Sequence, residues 1–423
     1  MMADDSNLSI SVVGLGKLGS CLAATLADAG FPVSGADLDS EIVEAINAGD
    51  APFPEPKLQE YISAAGDDFQ ATTDTREAIT GTDVSFVIVN TPSQEDGTYS
   101  LDAVTAVSRT IGEVLAEKDD YHLVVLTSTV SPRDTEDEII PILEEVSGKV
   151  AGDDFGVCYS PEFIAIGDVI AGLEDPDFFL VGEHTERAGD VLTSIYDELG
   201  DEETPVARMS PVEAELAKIS VNAYVTTKIS FANTLGQISD GVGADVDVVT
   251  EALAMDGRIN GNYFAAGGRF GGPCFPRDND AFAQVAEQAG TSAPLAESTD
   301  EVNDLHTEWI ADRVREHTPD GGTVAILGLS YKPGTYIIEE SQGTELVEEL
   351  HDEYDIVCYD PMAMEEAKER FGNDVICAES TRAALEAADT AVVSTPWPEF
   401  EDALKSSEGT VVIDLWRLWN DGN

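Results

Sequence analysis

The sequence predicts an α/β fold with two doubly wound parallel-sheet domains separated by a helical region. Short apolar strands alternate with helical patterns from residue 8 to about residue 207, and again from residue 323 onward. Between them, residues 211–303 show long helical periods, led by a helix over 212–238 with little Gly or Pro to interrupt it. A chain of 423 residues is too long for one core, which agrees with two or three domains.

The first region opens with a βαβ unit. An apolar strand at residues 8–13 runs into the glycine-rich segment 14–19, and a helical stretch then continues to Ala29. A second strand at 32–36 ends at Asp37. Other apolar runs predict further strands in the two α/β regions, at 84–89, 123–126, 157–159, 178–181, 323–327, 356–359, 390–394 and 411–415.

The charge balance excludes several classes of partner. The chain carries 83 acidic and 22 basic residues, a formal net charge of −61, and the acidic residues are spread along its whole length. Because 43% of the residues are still hydrophobic, this composition predicts a folded, salt-adapted (halophilic) protein rather than disorder. Such a surface repels nucleic-acid phosphate and anionic lipid, so we expect neither nucleic acid nor membrane as a partner.

The first residues and the cysteines predict a soluble, cytoplasmic protein without a metal. The first ten residues lack the basic and apolar regions of a signal peptide, and no run of about 18 apolar residues occurs. The five cysteines are odd in number and include no CxxC pair, which disfavours a disulfide framework and a zinc site. Four of them fit small core residues, whereas the surroundings of Cys274 set it apart.

The segment between the first strand and the first helix has the pattern GxGxxG. Gly14, Gly16 and Gly19, with Lys17 and Leu18 between them, allow a tight turn and a close approach of a pyrophosphate to the helix N-terminus. The glycine pattern alone is weak evidence for dinucleotide binding. Strand, turn, helix and strand in this order favour dinucleotide binding, and the alternative is a purely structural βαβ turn.

An acidic residue at the end of the second strand selects between dinucleotides. Asp37 is placed to accept hydrogen bonds from a ribose diol, and its charge would repel the 2′-phosphate of NADP. The predicted cofactor is therefore NAD.

Polar residues follow two strands and lie on one face of the long helix. Thr91 and Thr129 come just after predicted strand ends, where ligands collect in such sheets, although either could belong to an ordinary turn. Lys218 and Asn222 are four residues apart on the helix and share a face. A lysine there could stabilise a developing oxyanion, and the alternative is a solvated lysine.

The segment around Cys274 is the sharpest candidate for catalysis. Two glycines and two prolines in FGGPCFPRD fix an irregular backbone around the thiol, and a cation and the carboxylate Asp278 follow within four residues. Such surroundings can lower the pKa of a thiol and present it to a substrate. A plain loop with an inert thiol is the alternative.

With this segment the sequence resembles the UDP-glucose/GDP-mannose dehydrogenase family. The resemblance covers nearly the whole chain in the order GLGKLG, the strand ending in Asp37, NTPS, TSTVS, SPEF, AKISVNAY, RINGNYF, FGGPCFPRD, ILGLSYKPGT and TPWPEF. It implies two Rossmann-like domains joined by a helical dimerisation region, with NAD on the first and a nucleotide sugar on the second. It also implies domains at 1–207, 208–305 and 306–423, and a homodimer.

The resemblance implies the oxidation of a primary alcohol to a carboxylate. The expected substrate is a UDP-sugar, in which the sugar is either glucose or an N-acetylhexosamine. Cys274 would be the nucleophile, Lys218 the oxyanion-stabilising group, and Asn222 and Asp278 the partners that order water, with Thr129 and Glu162 assisting hydrolysis. The cofactor would meet residues Gly14, Gly16, Lys17, Leu18, Gly19, Asp37, Thr91 and Thr129. The substrate would meet residues Glu162, Phe163, Lys218, Asn222, Arg258, Tyr263, Phe264, Gly271 and Lys332, and Arg258 would reach the sugar site of the neighbouring subunit.

The sequence departs from the family pattern in several places. Ile166 stands where glucose-oxidising members carry a second glutamate, and Glu339 stands where an arginine commonly follows the lysine motif. Lys17-Leu18 and Arg277 also differ from the usual residues. Two alternative functions remain: a two-electron hydroxyacid or sugar-acid dehydrogenase, and a nucleotide-sugar binding protein without catalysis. The nucleophile segment argues against both.

Overall fold

The computed structural model describes residues 8–94, 96–164, 167, 169–200, 203–405 and 409–418. The chain divides into two compact units, with the boundary between Ile219 and Ser220 inside one long helix. In the described part of the chain, no helix combines the length and the apolar character needed to cross a membrane.

The first unit alternates strands and helices, as the apolar runs predict. Its strands are β1 Ile10–Val13, β2 Val33–Ala36, β3 Phe69–Thr72, β4 Val84–Val87, β5 Leu123–Leu126, β6 Gly156–Tyr159, β7 Phe179–Glu183 and β8 Val206–Met209. Its helices are α1 Lys17–Asp28, α2 Ser40–Ala48, α3 Leu58–Ala65, α4 Thr75–Thr80, α5 Asp102–Glu117, α6 Ile140–Ser147, α7 Val169–Glu174 and α8 Glu186–Leu199.

These strands form one sheet in the order β3-β2-β1-β4-β5-β6-β7-β8. Neighbouring strands are parallel except β6 and β7, which pair antiparallel. The central strands β1, β4 and β5 are buried along their whole length, because helices cover both faces of the sheet. Parallel strands end at the same edge, so the loops after β1, β4 and β5 lie together there.

The second unit begins within α9, Pro211–Val242, and continues with the helices α10 Val246–Ala254, α11 Phe275–Gln288 and α12 Pro294–His317. Strands and helices then alternate again: β9 Thr323–Leu327, α13 Gln342–Leu350, β10 Asp355–Tyr359, α14 Met364–Phe371, β11 Val375–Cys377, α15 Thr381–Ala387, β12 Thr390–Val393, α16 Phe400–Lys405 and β13 Val411–Asp414. The sheet is parallel, in the order β11-β10-β9-β12-β13.

The predicted fold class, two doubly wound α/β sheets with a helical region between them in sequence, is confirmed. Of the twenty ends of the predicted strands, eleven agree with the structure and nine differ by one or two residues, and the lead helix is longer, reaching Val242. The apolar pattern predicts no strand at β3, β8 or β11, because these short strands at the sheet edges mix apolar with exposed residues. The three predicted domains, divided at 207/208 and 305/306, stay predictions.

Candidate active site

The glycine segment forms the turn between β1 and α1. Gly14 has a φ of +96°, and a Cβ there would lie 2.1 Å from the carbonyl oxygen of Ile88, so the position requires glycine. Gly16 is exposed and is the N-cap of α1 without a side-chain cap, and a Cβ on Gly19 would lie 1.8 Å from the carbonyl oxygen of Gly14. The first turn of α1 has no acidic residue, so the N-terminus of this helix is open to an anion.

Asp37 stands at the end of β2, beside this turn. Its Oδ2 accepts from the Leu15 N–H at 2.7 Å and its Oδ1 from the Asp39 N–H at 2.9 Å. The carboxylate is half-buried, and each oxygen retains a lone pair for a further donor. Glycine turn and carboxylate therefore fit the pyrophosphate and the adenosine ribose of NAD. Lys17 and Leu18 lie in the first turn of α1, and Leu18 packs on the core.

The loops after β4 and β5 are joined by side-chain hydrogen bonds. Thr91 is buried, and its hydroxyl donates to the carbonyl oxygen of Thr129 at 2.7 Å. The hydroxyl of Ser128 donates to the carbonyl oxygen of Val89 and accepts from its N–H, at 2.8 and 2.9 Å. Thr129 itself is partly exposed at this edge of the sheet. Thr91 and Thr129 thus lie at the same edge of the sheet as the glycine turn that follows β1.

Glu162, Phe163 and Lys218 form a cluster in the first unit. The ammonium of Lys218 donates to the carbonyl oxygen of Glu162 at 2.5 Å and lies 5.1 Å from the centre of the Phe163 ring. Burial raises the pKa of the Glu162 carboxyl to about 7, and the charge of Lys218 opposes this shift only in part. Glu162 and Phe163 line a cavity of about 540 Å³ together with Phe178 and Tyr196. A carboxyl with this pKa can exchange protons near neutral pH.

Sequence reasoning missed Glu215, on the turn of α9 before Lys218. This carboxylate is fully buried and accepts from the N–H groups of Arg133 at 2.6 Å and Thr135 at 2.9 Å. Arg133 has a φ of +87°, so Glu215 holds strained backbone four residues after Thr129. Burial raises the pKa of Glu215 to about 7. The sequence feature that indicates this residue is a glutamate at a helix position where the apolar pattern predicts burial.

In the second unit, Cys274 is the N-cap of α11. Its side chain is exposed, and the helix has no side-chain cap at this end. The positive end of a helix dipole stabilises a thiolate, so the position suits a nucleophile. Cys21, Cys158 and Cys358 are buried, and Cys377 is partly so. Burial raises the pKa of the Cys21, Cys158 and Cys358 thiols.

Asn222 and Asp278 meet one turn inside α11. The Asn222 Nδ2 donates to Asp278 Oδ2 at 2.6 Å, and the Arg277 guanidinium lies 2.9 Å from Asp278 Oδ1. Asp278 is fully buried, and its N–H donates to the carbonyl oxygen of Cys274 at 2.9 Å. The fold therefore connects Asn222 to the helical turn that begins at the thiol.

The segment before Cys274 packs on the loop that carries Lys332. A Cβ on Gly271 would lie 2.0 Å from the carbonyl oxygen of Glu340, so the close approach of the two backbones requires glycine. The Gly272 N–H donates to the carbonyl oxygen of Glu339 at 2.9 Å. Lys332 is partly exposed, with its ammonium 5.8 Å from the Tyr331 ring centre. Cys274, the predicted nucleophile, and Lys332, the predicted nucleotide-sugar residue, thus belong to adjoining segments of one unit.

Three further predicted substrate residues come after α10. Arg258 is 89% exposed and pairs with Asp256 at 2.5 Å. Tyr263 is exposed with a φ of +57°, whereas Phe264 is buried. The structure therefore leaves Arg258 and Tyr263 on the surface of the second unit. Ile166 lies outside the described residues, and the side chain of Glu339 is exposed.

A glycine turn followed by an acid on a doubly wound sheet is typical of a dinucleotide-dependent oxidoreductase, and an exposed thiol at a helix N-terminus is suited to nucleophilic chemistry. Three family models match the chain: the NAD binding domain of the UDP-glucose/GDP-mannose dehydrogenase family over residues 8–200, its central domain over 212–305 and its UDP binding domain over 325–421. The chain belongs to the UDP-glucose/GDP-mannose dehydrogenase family, and it is an NAD-dependent enzyme.

Relatives of two kinds resemble the chain over most of its length. The UDP-glucose 6-dehydrogenase AglM of Haloferax volcanii is 40% identical over 419 residues, which are 97% of each chain. The GDP-mannose 6-dehydrogenase of Pseudomonas aeruginosa is 35% identical over 81% of this chain and 78% of its own. A solved UDP-glucose dehydrogenase from Pyrobaculum islandicum superposes with a TM-score of 0.91 at 34% identity, covering 98% of this chain and 96% of its own.

Proposed function

We propose that this enzyme oxidises the primary alcohol of a UDP-sugar, UDP-glucose in the first instance, to the carboxylate through a covalent intermediate on Cys274. The observation that carries this proposal is the exposed thiol at the N-terminus of α11, above the buried pair of Asn222 and Asp278. An enzyme that removes only two electrons from an alcohol has no use for such a thiol.

The residues of the glycine turn fit NAD, because Gly16 is open and Asp37 retains acceptor capacity. When bound, NAD accepts a hydride in each of two successive oxidations. The first converts the alcohol to an aldehyde. The Cys274 thiolate then adds to the aldehyde carbon, and the oxygen takes a proton, which gives a thiohemiacetal.

Oxidation of the thiohemiacetal leaves a thioester, and water then displaces the Cys274 sulfur to release the carboxylate. Lys218 stabilises the alkoxide in these steps, since an ammonium next to a developing negative oxygen lowers the barrier. Asn222 and Asp278 order the attacking water, and Thr129 and Glu162 assist the hydrolysis. A pKa of about 7 lets Glu162 accept the proton of water at neutral pH.

The named relatives support a UDP-sugar over a GDP-sugar. The UDP-glucose 6-dehydrogenase of Haloferax volcanii is 40% identical over 97% of the chain, whereas the GDP-mannose 6-dehydrogenase of Pseudomonas aeruginosa is 35% identical over 81% of it. We assign the nucleotide to the loop of Lys332, and the sugar to Phe163, Gly271, Tyr263 and Phe264. UDP-N-acetylhexosamines are the second candidate class.

We also propose a homodimer that forms through the central helices. Tyr224, Phe231 and Ile238 are 54–60% exposed and repeat every seven residues, so they form one apolar stripe along α9. Arg258, exposed beyond this region, would reach the sugar site of the second subunit. Sedimentation in roughly molar KCl should give twice the chain mass. The Phe231→Glu variant should sediment as a monomer, and a wild-type monomer would refute the assignment.

The experiment that tests the function counts NADH per sugar. Purified enzyme in roughly molar KCl, which screens its charge, is given limiting UDP-glucose, UDP-N-acetylhexosamines or GDP-mannose. Two NADH per sugar on a UDP-sugar is the expected result. One NADH per sugar would refute the thioester step, and exclusive turnover of GDP-mannose would refute the assigned nucleotide.

A further inference from the structure

The segment of residues 267–274, here called the thiol loop, contains no helix or strand of its own and ends at Cys274, the N-cap of α11. Its first part is nevertheless buried, since Phe270 is 4% exposed and the neighbouring Ala266 is 3% exposed. Buried backbone N–H and C=O groups outside regular structure must find partners elsewhere. In the first part of the thiol loop, most of these partners are side-chain amides.

Asn233, on α9, pairs with the start of the thiol loop. Its Oδ1 accepts from the Gly267 N–H at 2.9 Å, and its Nδ2 donates to the carbonyl oxygen of Gly268 at 2.9 Å. Asn233 is 2% exposed. One side-chain amide thus presents an acceptor and a donor to the loop, as a neighbouring β-strand would.

Asn303, on α12, pairs in the same way with the backbone of Phe270, which lies four residues before Cys274. Its Oδ1 accepts from the Phe270 N–H at 3.0 Å, and its Nδ2 donates to the Phe270 carbonyl oxygen at 2.9 Å. Both backbone groups of Phe270 are therefore held by one buried side chain. The opposite assignment of oxygen and nitrogen would set donor against donor, so the contacts fix the orientation of this amide.

Gln342, at the start of α13, holds the residue between these two. Its Oε1 accepts from the Arg269 N–H at 2.9 Å, and its Nε2 donates to the Thr307 hydroxyl at 3.2 Å. Gln342 is 4% exposed. Since the loop of Lys332 ends at Ser341, this amide connects the thiol loop to the segment that precedes α13.

We propose that Asn233, Asn303 and Gln342 are positioning residues that set the place of the Cys274 thiol. They come from three different helices, so they fix the thiol loop relative to α9, α12 and α13 at once. The proposal rests on the proposed function, in which Cys274 is the nucleophile. A displacement of about 1 Å of a reacting group can cost a hundredfold in rate, so a loop without regular structure needs such anchors.

The substitution Asn303→Asp isolates the hydrogen bonds from the volume of the side chain. The carboxylate can still accept from the Phe270 N–H, but it sets a lone pair against the Phe270 carbonyl oxygen, which pushes the loop away. Asn303→Leu keeps the volume and removes both bonds. Asn47, in the first unit, is a control for the hydrogen-bond pattern alone, because it pairs with the N–H and carbonyl oxygen of Ala71 in the same manner, at 2.9 and 2.8 Å, but is exposed.

The readout is the rate at which iodoacetamide alkylates Cys274 in the absence of substrate, followed by peptide mass spectrometry. We expect Asn303→Asp and Asn303→Leu to lower this rate roughly tenfold, because a thiol that moves off the helix N-terminus loses stabilisation of its thiolate. The kcat should fall by about the same factor or more, with little change in KM for the sugar. Asn47→Asp should change neither quantity.

Wild-type alkylation and kcat in Asn303→Asp would overturn the proposal. Where that variant fails to fold, Gln342→Met, which removes the acceptor for the Arg269 N–H, provides the same test. The proposed function fails in a different way: Cys274→Ser would then retain full turnover. In that case the altered alkylation of Asn303→Asp would still support the positioning role.

Discussion

The sheet that contains β1 and the sheet that contains β9 share one backbone plan, because β3-β2-β1-β4-β5 and β11-β10-β9-β12-β13 have the same order. Gly14 and Gly328 come after the first strand of each with a φ of +96°. A Cβ on Gly19 would lie 1.8 Å from the carbonyl oxygen of Gly14, and a Cβ on Gly343 would lie 2.1 Å from the carbonyl oxygen of Gly328. The two turns therefore share the close approach of helix to strand.

The segments after the first glycine differ between the two sheets. In the first sheet α1 starts three residues after Gly14, and its N-terminus has no side-chain cap. In the second sheet the loop of Lys332 intervenes, and α13 is capped by Ser341, whose hydroxyl accepts from the Thr344 N–H at 3.1 Å. The N-terminus of α1 thus has backbone N–H groups open to a pyrophosphate, whereas a backbone N–H at the N-terminus of α13 is already bound by the hydroxyl of Ser341.

The acids after the second strand differ in the same sense. Asp37 accepts two backbone N–H groups and is half-buried. Asp360 is 1% exposed, and its carboxylate accepts from donors on both sides: the N–H groups of Leu329, Ser330, Met362 and Ala363, the Ser330 hydroxyl and the Trp397 indole. Asp37 thus keeps acceptor capacity for a further donor, whereas the carboxylate of Asp360 is occupied by groups of the protein itself. We therefore expect the loop after the first strand, rather than the shared strand order, to determine which ligand each sheet binds.

The largest expected effect is at Gly16. Apart from the adjoining residues of the chain, no atom of the described residues lies within 4 Å of a Cβ placed there, so Gly16→Ala should fold normally and yet obstruct the pyrophosphate. We expect KM for NAD to rise roughly tenfold to a hundredfold, measured by initial rates. Gly81→Ala, equally open and at the end of α4, is the control. Unchanged NAD affinity in Gly16→Ala would place the cofactor elsewhere.

The two aspartates should separate binding from folding. Asp37→Asn should raise KM for NAD about tenfold, since hydrogen bonds to a charged group are worth about 1.5–3 kcal/mol, and should improve the use of NADP. Asp360→Asn should instead lower Tm by several degrees, because one amide cannot accept on both sides. Thermal unfolding and NAD titration distinguish the two. Loss of NAD affinity in Asp360→Asn would contradict the assignment of NAD binding to Asp37 and of a stabilising role to Asp360.

Lys332 tests whether the longer loop of the second sheet serves the nucleotide sugar. Lys332→Met should raise KM for the sugar nucleotide about fivefold, the value of one exposed charge contact of about 1 kcal/mol, and leave KM for NAD unchanged. Initial rates with each substrate varied in turn provide the measurement. An equal rise in both constants would point to a general loss of structure.

The smallest effect is on stability at Glu162. Its folded pKa of about 7 lies above the ordinary value of 4.5, so the folded state keeps a proton that the unfolded state loses as the pH rises from 4.5 to 7. Ionised Glu162 therefore destabilises the fold above pH 7. Glu162→Gln should raise Tm at pH 8 and leave it unchanged near pH 4, while it slows hydrolysis. A gain that is independent of pH would refute this pKa.

The sequence predicts those parts of the site that depend on local backbone chemistry. The glycine turn with Asp37 and the setting of Cys274 can be identified directly, because each depends on residues next to one another in the chain. Asn303 and Phe270 are 33 residues apart, and Glu215 and Arg133 are 82 apart, so their pairing leaves no local pattern. Buried polar side chains that serve distant loops become visible only once the helices are placed.

The most direct test of the covalent role of Cys274 is the mass of its peptide from enzyme quenched with acid during turnover of UDP-glucose and NAD. We predict a peptide that carries the uronyl group as a thioester, which hydroxylamine removes. In Cys274→Ser we predict no adduct and at most one NADH per sugar. Two NADH per sugar from Cys274→Ser, with no adduct on the wild-type peptide, would contradict the covalent role.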